Sequence, residues 1–177
     1  MLKDVEVLVL RATVGGLMAG HGAQKLMGAF EGPGLQGTAG MMKSLGFEPA
    51  DRWALAAALS EFGGGVLTAL GLFNPLGPIG IISAMTMATA TVHWNKPVWA
   101  SKGGAELPVI NIAAALAVAI AGPGEFSLDH ALGIQLPKAV PALAGLTAAG
   151  LIAYGLTNRP AAAQSEDQSE EAQTASA

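Results

Sequence analysis

Long apolar segments separated by short polar ones dominate this chain. Runs with few charges lie at 5–27, 53–73, 76–94 and 106–122, and a fifth run, without charge, covers 139–157. A helix needs about 20 apolar residues to cross the hydrocarbon core of a bilayer. The pattern therefore predicts an all-α fold, an integral membrane four-helix bundle with a fifth, C-terminal transmembrane helix. A helix lying in the membrane interface is the alternative for the fifth run.

The connections between these runs predict two local structures. The sequence NPLGP at 74–78 is typical of a tight turn, so the second and third runs should be antiparallel neighbours. Within the long connection 28–52, the spacing of Leu35, Met41 and Leu45 predicts a short amphipathic helix on the bilayer surface that ends at Gly46.

Three regions follow from this division. Residues 1–134 hold the four-helix part, residues 135–159 the extra C-terminal helix, and residues 160–177 an acidic tail. The tail has no periodicity and few apolar residues besides Ala, which is the composition of a disordered segment.

Composition supports the membrane assignment and excludes several kinds of function. The 177 residues are 51% hydrophobic and 12% charged, whereas a soluble domain has about a quarter charged residues. There is no Cys, which excludes disulfides, thiol redox chemistry and Cys metal sites. The sequence contains no phosphate-binding loop, no nucleophile elbow and no basic nucleic-acid patch, so the lipid bilayer is the expected partner and nucleic acid is not.

Alternating threading gathers polar residues at one end of the bundle, which we call the loop side. His21 and Lys25 end the first run, His93 ends the third and Glu106 begins the fourth. Glu61 follows the start of the second run by eight residues and should lie about 12 Å deeper. These five side chains should therefore meet near one membrane surface.

Helical geometry also predicts which way these side chains face. Arg11, His21 and Lys25 fall within about a 100° sector of the first helix, and this sector should face the bundle because a charge facing lipid is costly. Glu61 precedes the glycines at 63–65, which let another helix approach closely. The expected partner of Glu61 is therefore Arg11 or Lys25.

These placements give a candidate site. The predicted catalytic residues are His21, Lys25, Glu61 and His93, and the predicted substrate-binding residues are Arg11, Thr89 and Glu106. Each residue also has a structural interpretation: a lysine that reaches the headgroups, an Arg11–Glu61 ion pair between helices, a packed imidazole. Trp53, Trp94 and Trp99 are expected in the interfacial belt.

A metal site is not expected. The two histidines and two acids lack the i, i+3 or i, i+4 spacing of a metal-binding helix, and Lys25 would repel the ion. Haem ligation by His21 and His93 is the remaining cofactor alternative.

The motifs of the chain resemble those of the DoxX family of small bacterial membrane proteins. The resemblance covers about residues 6–134 and rests on the order of seven short elements: Arg11 with Gly15, HGxxKL at 21–26, SLGFEP at 44–49, ExxGG at 61–65, MxxAxxxVHW at 85–94, GGAE at 103–106 and GPGxFSLD at 122–129.

The resemblance implies a four-helix transmembrane core in the bacterial inner (cytoplasmic) membrane and a role in membrane redox chemistry. It implies an oxidoreductase subunit that acts near the quinone pool, with quinone as the expected cofactor and soluble redox enzymes as expected partners. Two other functions stay open: a non-catalytic scaffold that anchors redox enzymes, and a small-molecule transporter. Because basic residues favour the cytoplasm, the loop side is expected to be cytoplasmic.

Overall fold

A computed structural model describes residues 2–159, and this part of the chain is helical, without strands. The all-α prediction is confirmed. The predicted tail, 160–177, lies outside the described residues. The α-helices are α1 (Leu2–Met27), α2 (Gly34–Ser44), α3 (Ala50–Leu70), α4 (Leu76–Ala88), α5 (Glu106–Ala121), α6 (Leu128–Leu132) and α7 (Ala139–Thr157), with a π-helical turn, Thr89–His93, continuing α4.

Three of these helices are long and apolar enough to cross a membrane. They are Ala50–Leu70, Leu76–His93 and Ala139–Thr157, and the 16-residue α5 is a shorter apolar helix. The first predicted span coincides with α1, which is longer than the others but carries more charge. These helices make the chain a helical membrane protein, with α1 and α5 packed into the same bundle.

The connection 28–52 differs in one respect from its prediction. The short helix exists as α2, and Gly46 follows it with a φ of 79°, a conformation that suits glycine. This helix also packs against α1 and α3, which the sequence did not predict, and its position at the bilayer surface stays a prediction. Thr38 in its middle is buried and donates a hydrogen bond to the Gly34 carbonyl.

Glycine explains why α1 and α3 form the closest contact in the bundle. A Cβ at Gly65 would lie 2.3 Å from the Ala19 nitrogen, and a Cβ at Gly22 would lie 2.4 Å from the Phe62 Cα. Neither position has room for a side chain, so the two backbones touch. Small residues at a helix crossing allow this dense packing in lipid, where van der Waals contact drives association.

The end of the bundle opposite the loop side is held by two buried ionic side chains. Arg11, 2% exposed, donates hydrogen bonds to the carbonyls of Ala69 and Phe126. Asp129 accepts from the backbone N–H groups of Phe73 and Asn74, each at 2.8 Å. Arg11 thus ties the last turn of α3 and the segment before α6 to α1, and Asp129 ties the turn after α3 to α6.

Candidate functional site

An ion pair between α1 and α3 forms the polar centre of the site. The Lys25 ammonium contacts Oε1 of Glu61. The carboxylate side chain is 3% exposed and the lysine side chain 25% exposed. Because Gly22 lets the backbone of α3 come within contact distance one turn before Lys25, the two side chains meet directly. Lys25 is one of the two partners predicted for Glu61.

An elongated apolar cavity of about 640 Å³ adjoins this pair. It follows α4 from Leu76 to His93, a length of about 25 Å at 1.5 Å per residue. One stripe of α3, one of α4 and one of α7 form its walls, and α2 with the following loop closes its loop-side end. The lining includes Met41, Met42, Leu45, Phe47, Trp53, Ala56, Ala57, Ser60, Ile79, Gly80, Ser83, Ala84, Met87, Ala88, Thr91, Val92, Ala144, Thr147, Ala148, Leu151 and Ile152.

Two hydroxyl groups of the lining are already used by their own helix. Ser83 donates to the Ile79 carbonyl at 2.6 Å, and Thr91 donates to the Met87 carbonyl at 2.9 Å. These bonds lower the polarity that the hydroxyls present to the cavity. The charged groups on its wall are therefore those of the Lys25–Glu61 pair.

His93 lies on the cavity wall at the end of the π turn. Its Nδ1 is 2.6 Å from the Gly103 carbonyl. Since a carbonyl only accepts hydrogen bonds, Nδ1 carries the proton and Nε2 of the neutral ring is left as an acceptor. A π turn holds one more residue than an α turn and often occurs at functional sites. Here it turns Thr91, Val92 and His93 towards the cavity.

The structure does not bring every predicted site residue to this cavity. The prediction that His21 faces the bundle is wrong, because its side chain is exposed on α1 and does not line the cavity. His21 and His93 therefore do not flank a common space for haem. Among the described residues, no group of His, Asp and Glu is arranged to hold a metal ion.

The three predicted substrate-binding residues also lie outside the cavity lining. Arg11 contacts Ala69 and Phe126 at the other end of the bundle, so the alternative Arg11–Glu61 pair does not form. Thr89 donates to the Met85 carbonyl at 2.8 Å. Glu106 accepts from the Ala100 N–H at 2.7 Å and so holds the loop before α5.

The C-terminal helix α7 contributes a wall that the sequence reasoning did not assign. Gly155 lies against Trp53 and Met87, where a Cβ would come within 2.7 Å of the indole ring. Tyr154 stacks on Trp53 at 6.4 Å between ring centroids. Trp53 is thus half-buried against α7, whereas Trp94 and Trp99 are exposed; the interfacial belt stays a prediction for all three.

Arg159, two residues after the end of α7, fixes that end of the helix to the loop between α2 and α3. Arg159 donates from Nε to the Leu45 carbonyl at 2.8 Å, and its guanidinium lies 5.5 Å from the centre of the Phe47 ring. The spacing of Ala144, Thr147, Ala148, Leu151 and Ile152 is one helical stripe of small and then larger residues. Because α7 is apolar on all sides, the sequence does not distinguish this stripe from its other faces.

Comparison with known proteins gives one match. The family model described as DoxX matches residues 6–94, from α1 to the end of the π turn. No curated protein and no solved structure matches the chain. The matched half contains Lys25, Glu61 and His93, while α7 and its wall of the cavity lie beyond it.

Proposed function

Because the chain belongs to the DoxX family, we propose that it is a subunit of a membrane oxidoreductase that binds a lipid-soluble quinone in the cavity along α4. In this proposal it is a multi-pass protein of the bacterial cytoplasmic membrane. The loop side, with Lys25 and His93, faces the cytoplasm.

The observation that carries the proposal is an apolar groove with a charged pair on its wall. A quinone needs a slot for its ring and isoprenoid tail and donors for its carbonyl oxygens. The groove between Leu76 and His93 offers about 25 Å for the ring and part of the tail. The Lys25–Glu61 pair supplies the polar groups of the slot.

Each of the three cavity residues has a role in this proposal. Lys25 donates a hydrogen bond to a quinone oxygen and stabilises the negative charge that develops on reduction. Glu61 holds the ammonium in place. His93, with Nε2 as an acceptor, exchanges protons with the aqueous surface near the loop 94–105. Arg11, Thr89 and Glu106 keep the surrounding helices and loops in position.

Electrons must come from a partner or a soluble reductant in this proposal. The chain has no Cys, and its described residues form no group of His, Asp and Glu arranged to hold a metal ion. Soluble redox enzymes docked on the loop side are the partners we propose. The scaffold function is the alternative, in which such enzymes dock but the cavity takes no quinone.

Trp53 permits a direct binding test because it lines the cavity. The chain has three tryptophans, and Trp94→Phe with Trp99→Phe leaves Trp53 as the single reporter. Titrating a short-chain benzoquinone into this protein in lipid nanodiscs should quench its fluorescence in a saturable way. Quenching that rises linearly, as it does for quinone dissolved in lipid without protein, would contradict the proposal.

Two adjacent residues of α7 give a matched pair of variants. Ala148 lines the cavity, whereas Ala149 is exposed and does not. Ala148→Phe should fill the slot and weaken saturable quenching about tenfold or more, while Ala149→Phe should leave it unchanged. Equal effects of the two substitutions would show that quinone binds elsewhere.

A further inference from the structure

Glu61 leaves one of its two oxygens without a partner. Oε1 contacts the Lys25 ammonium, but Oε2 is buried and has no hydrogen-bond partner in the described part of the chain. A buried carboxylate oxygen without a hydrogen-bond partner destabilises the folded state, and such oxygens in native proteins almost always accept a hydrogen bond. Glu61 is one of the residues that line the cavity, so a ligand that displaces the atoms covering Oε2 is a source of that donor.

The hydroxyls of the lining, Ser60, Ser83, Thr91 and Thr147, do not supply it, since none forms a hydrogen bond to Oε2. Ser83 and Thr91 both donate to carbonyls of α4. The Lys25 ammonium has three N–H donors, of which one is used on Oε1. The charged part of the cavity wall therefore combines spare donors on nitrogen with one spare acceptor on oxygen.

We infer that this part of the cavity wall recognises a hydroxyl on an aromatic ring, and that the site therefore prefers the quinol form of its ligand to the quinone. This inference rests on the proposed function and adds the form that is bound. The ligand O–H donates to Oε2 of Glu61, and the same oxygen accepts from the Lys25 ammonium.

A quinone oxygen can form only one of these two hydrogen bonds. It accepts from Lys25 but has no proton for Glu61, so Oε2 stays unpaired and its charge faces the carbonyl oxygen. Hydrogen bonds to charged groups are stronger than those between neutral groups, so we expect a preference of about tenfold or more for the hydroxyl form, about 1.4 kcal/mol.

A pair of ligands that cannot be oxidised or reduced in the assay tests the hydroxyl alone. 4-Octylphenol and 4-octylanisole differ by one methyl group on the oxygen, and both suit an apolar groove. With Trp53 as the single tryptophan, displacement of a bound quinone should need about tenfold less phenol than anisole. If quinone does not bind, direct quenching or protection against thermal unfolding gives the same comparison.

Glu61→Gln provides the matched variant, since it keeps the shape and adds an N–H donor. In this protein the preference for phenol over anisole should fall to about equal affinity or reverse. The wild-type comparison stands even if this variant does not fold. Equal affinity of phenol and anisole for the wild-type protein would overturn the inference and leave Oε2 to a water molecule.

The outcomes separate the inference from the proposed function. Saturable quinone binding without any preference for phenol would retain the proposed function and overturn the hydroxyl inference. Preferential phenol binding without binding of quinone or quinol would retain the hydroxyl site and overturn the quinone-linked function.

Discussion

The crossing of α1 and α3 supports a quantitative prediction for Gly65→Ala. The added Cβ would lie 2.3 Å from the Ala19 nitrogen, 2.8 Å from the Ala19 Cα and 2.7 Å from the Gly15 carbonyl oxygen. Ordinary contact needs about 3.5–4.0 Å, so the two helices would have to separate by roughly 1 Å. All three atoms belong to the backbone and cannot turn aside.

Overpacking of this kind costs about 1–3 kcal/mol. For a protein of this size each kcal/mol corresponds to about 2–4 °C in Tm, so Gly65→Ala should lower Tm by roughly 2–12 °C. Thermal unfolding in detergent micelles, followed by tryptophan fluorescence, measures the change. Saturable quinone quenching should weaken as well, because the separation also moves Lys25 away from Glu61.

Gly63→Ala is the matched control on the same helix. A Cβ at Gly63 meets nothing within 4 Å, and alanine is the better helix former by about 1 kcal/mol. This variant should unfold at the wild-type temperature or above it. If Gly65→Ala has the same Tm as Gly63→Ala, the close crossing of α1 and α3 does not exist.

Two further predictions concern the buried charges. Lys25→Met leaves the Glu61 carboxylate without its cation. Removing one partner of a fully buried pair lowers the free energy of unfolding by about 3–5 kcal/mol. Because the lysine is partly exposed, we expect a loss nearer to about 2 kcal/mol. Adding Glu61→Gln should restore most of the lost Tm, and a double variant no more stable than Lys25→Met would contradict the ion pair. Arg11→Met removes donors from the carbonyls of Ala69 and Phe126, which should cost about 1–3 kcal/mol for each group left unpaired. Thermal unfolding should show this loss while quinone binding by the protein that remains folded stays unchanged, and weakened binding would place Arg11 in the site.

The approach of Glu61 to a cation of α1 could be predicted because it depends only on threading and rise per residue. The same arithmetic does not choose between Lys25 and Arg11, because it places Glu61 about midway in depth between them. Arg11 precedes Lys25 by fourteen residues, about 21 Å along the helix, which is too far for both cations to reach one carboxylate. The structure accordingly places Arg11 against the carbonyls at the other end.

The direction of His21 could not be predicted from a broad helical sector. At about 100° per residue, His21 lies roughly 70° from the centre of the face formed by the buried residues Val7, Arg11, Met18 and Gly22. The predicted sector of about 100° is wide enough to hold Arg11, His21 and Lys25 only with His21 at its edge. At that edge, the positions of neighbouring helices decide whether a side chain is covered.

The wall formed by α7 was beyond prediction for a different reason. This helix is apolar on all sides, so its hydrophobic pattern does not mark the face that meets the protein. The face of α7 that packs against the protein is determined by shape: Gly155 fits against Trp53, and Arg159 fixes the end of the helix. Such complementarity depends on partners distant in the chain, which one segment read alone does not reveal.

The π turn at Thr89–His93 makes chain length a determinant of the cavity. Its extra residue rotates everything after it by about 100° relative to a regular α-helix. Removing one residue there would let α4 continue as a regular α-helix with the imidazole still on the cavity face, because the π turn already absorbs that residue. Among natural variants of this protein, a one-residue gap in this turn would therefore keep His93 in place, whereas a full-length variant that ran on as a regular α-helix would carry the imidazole to a neighbouring face.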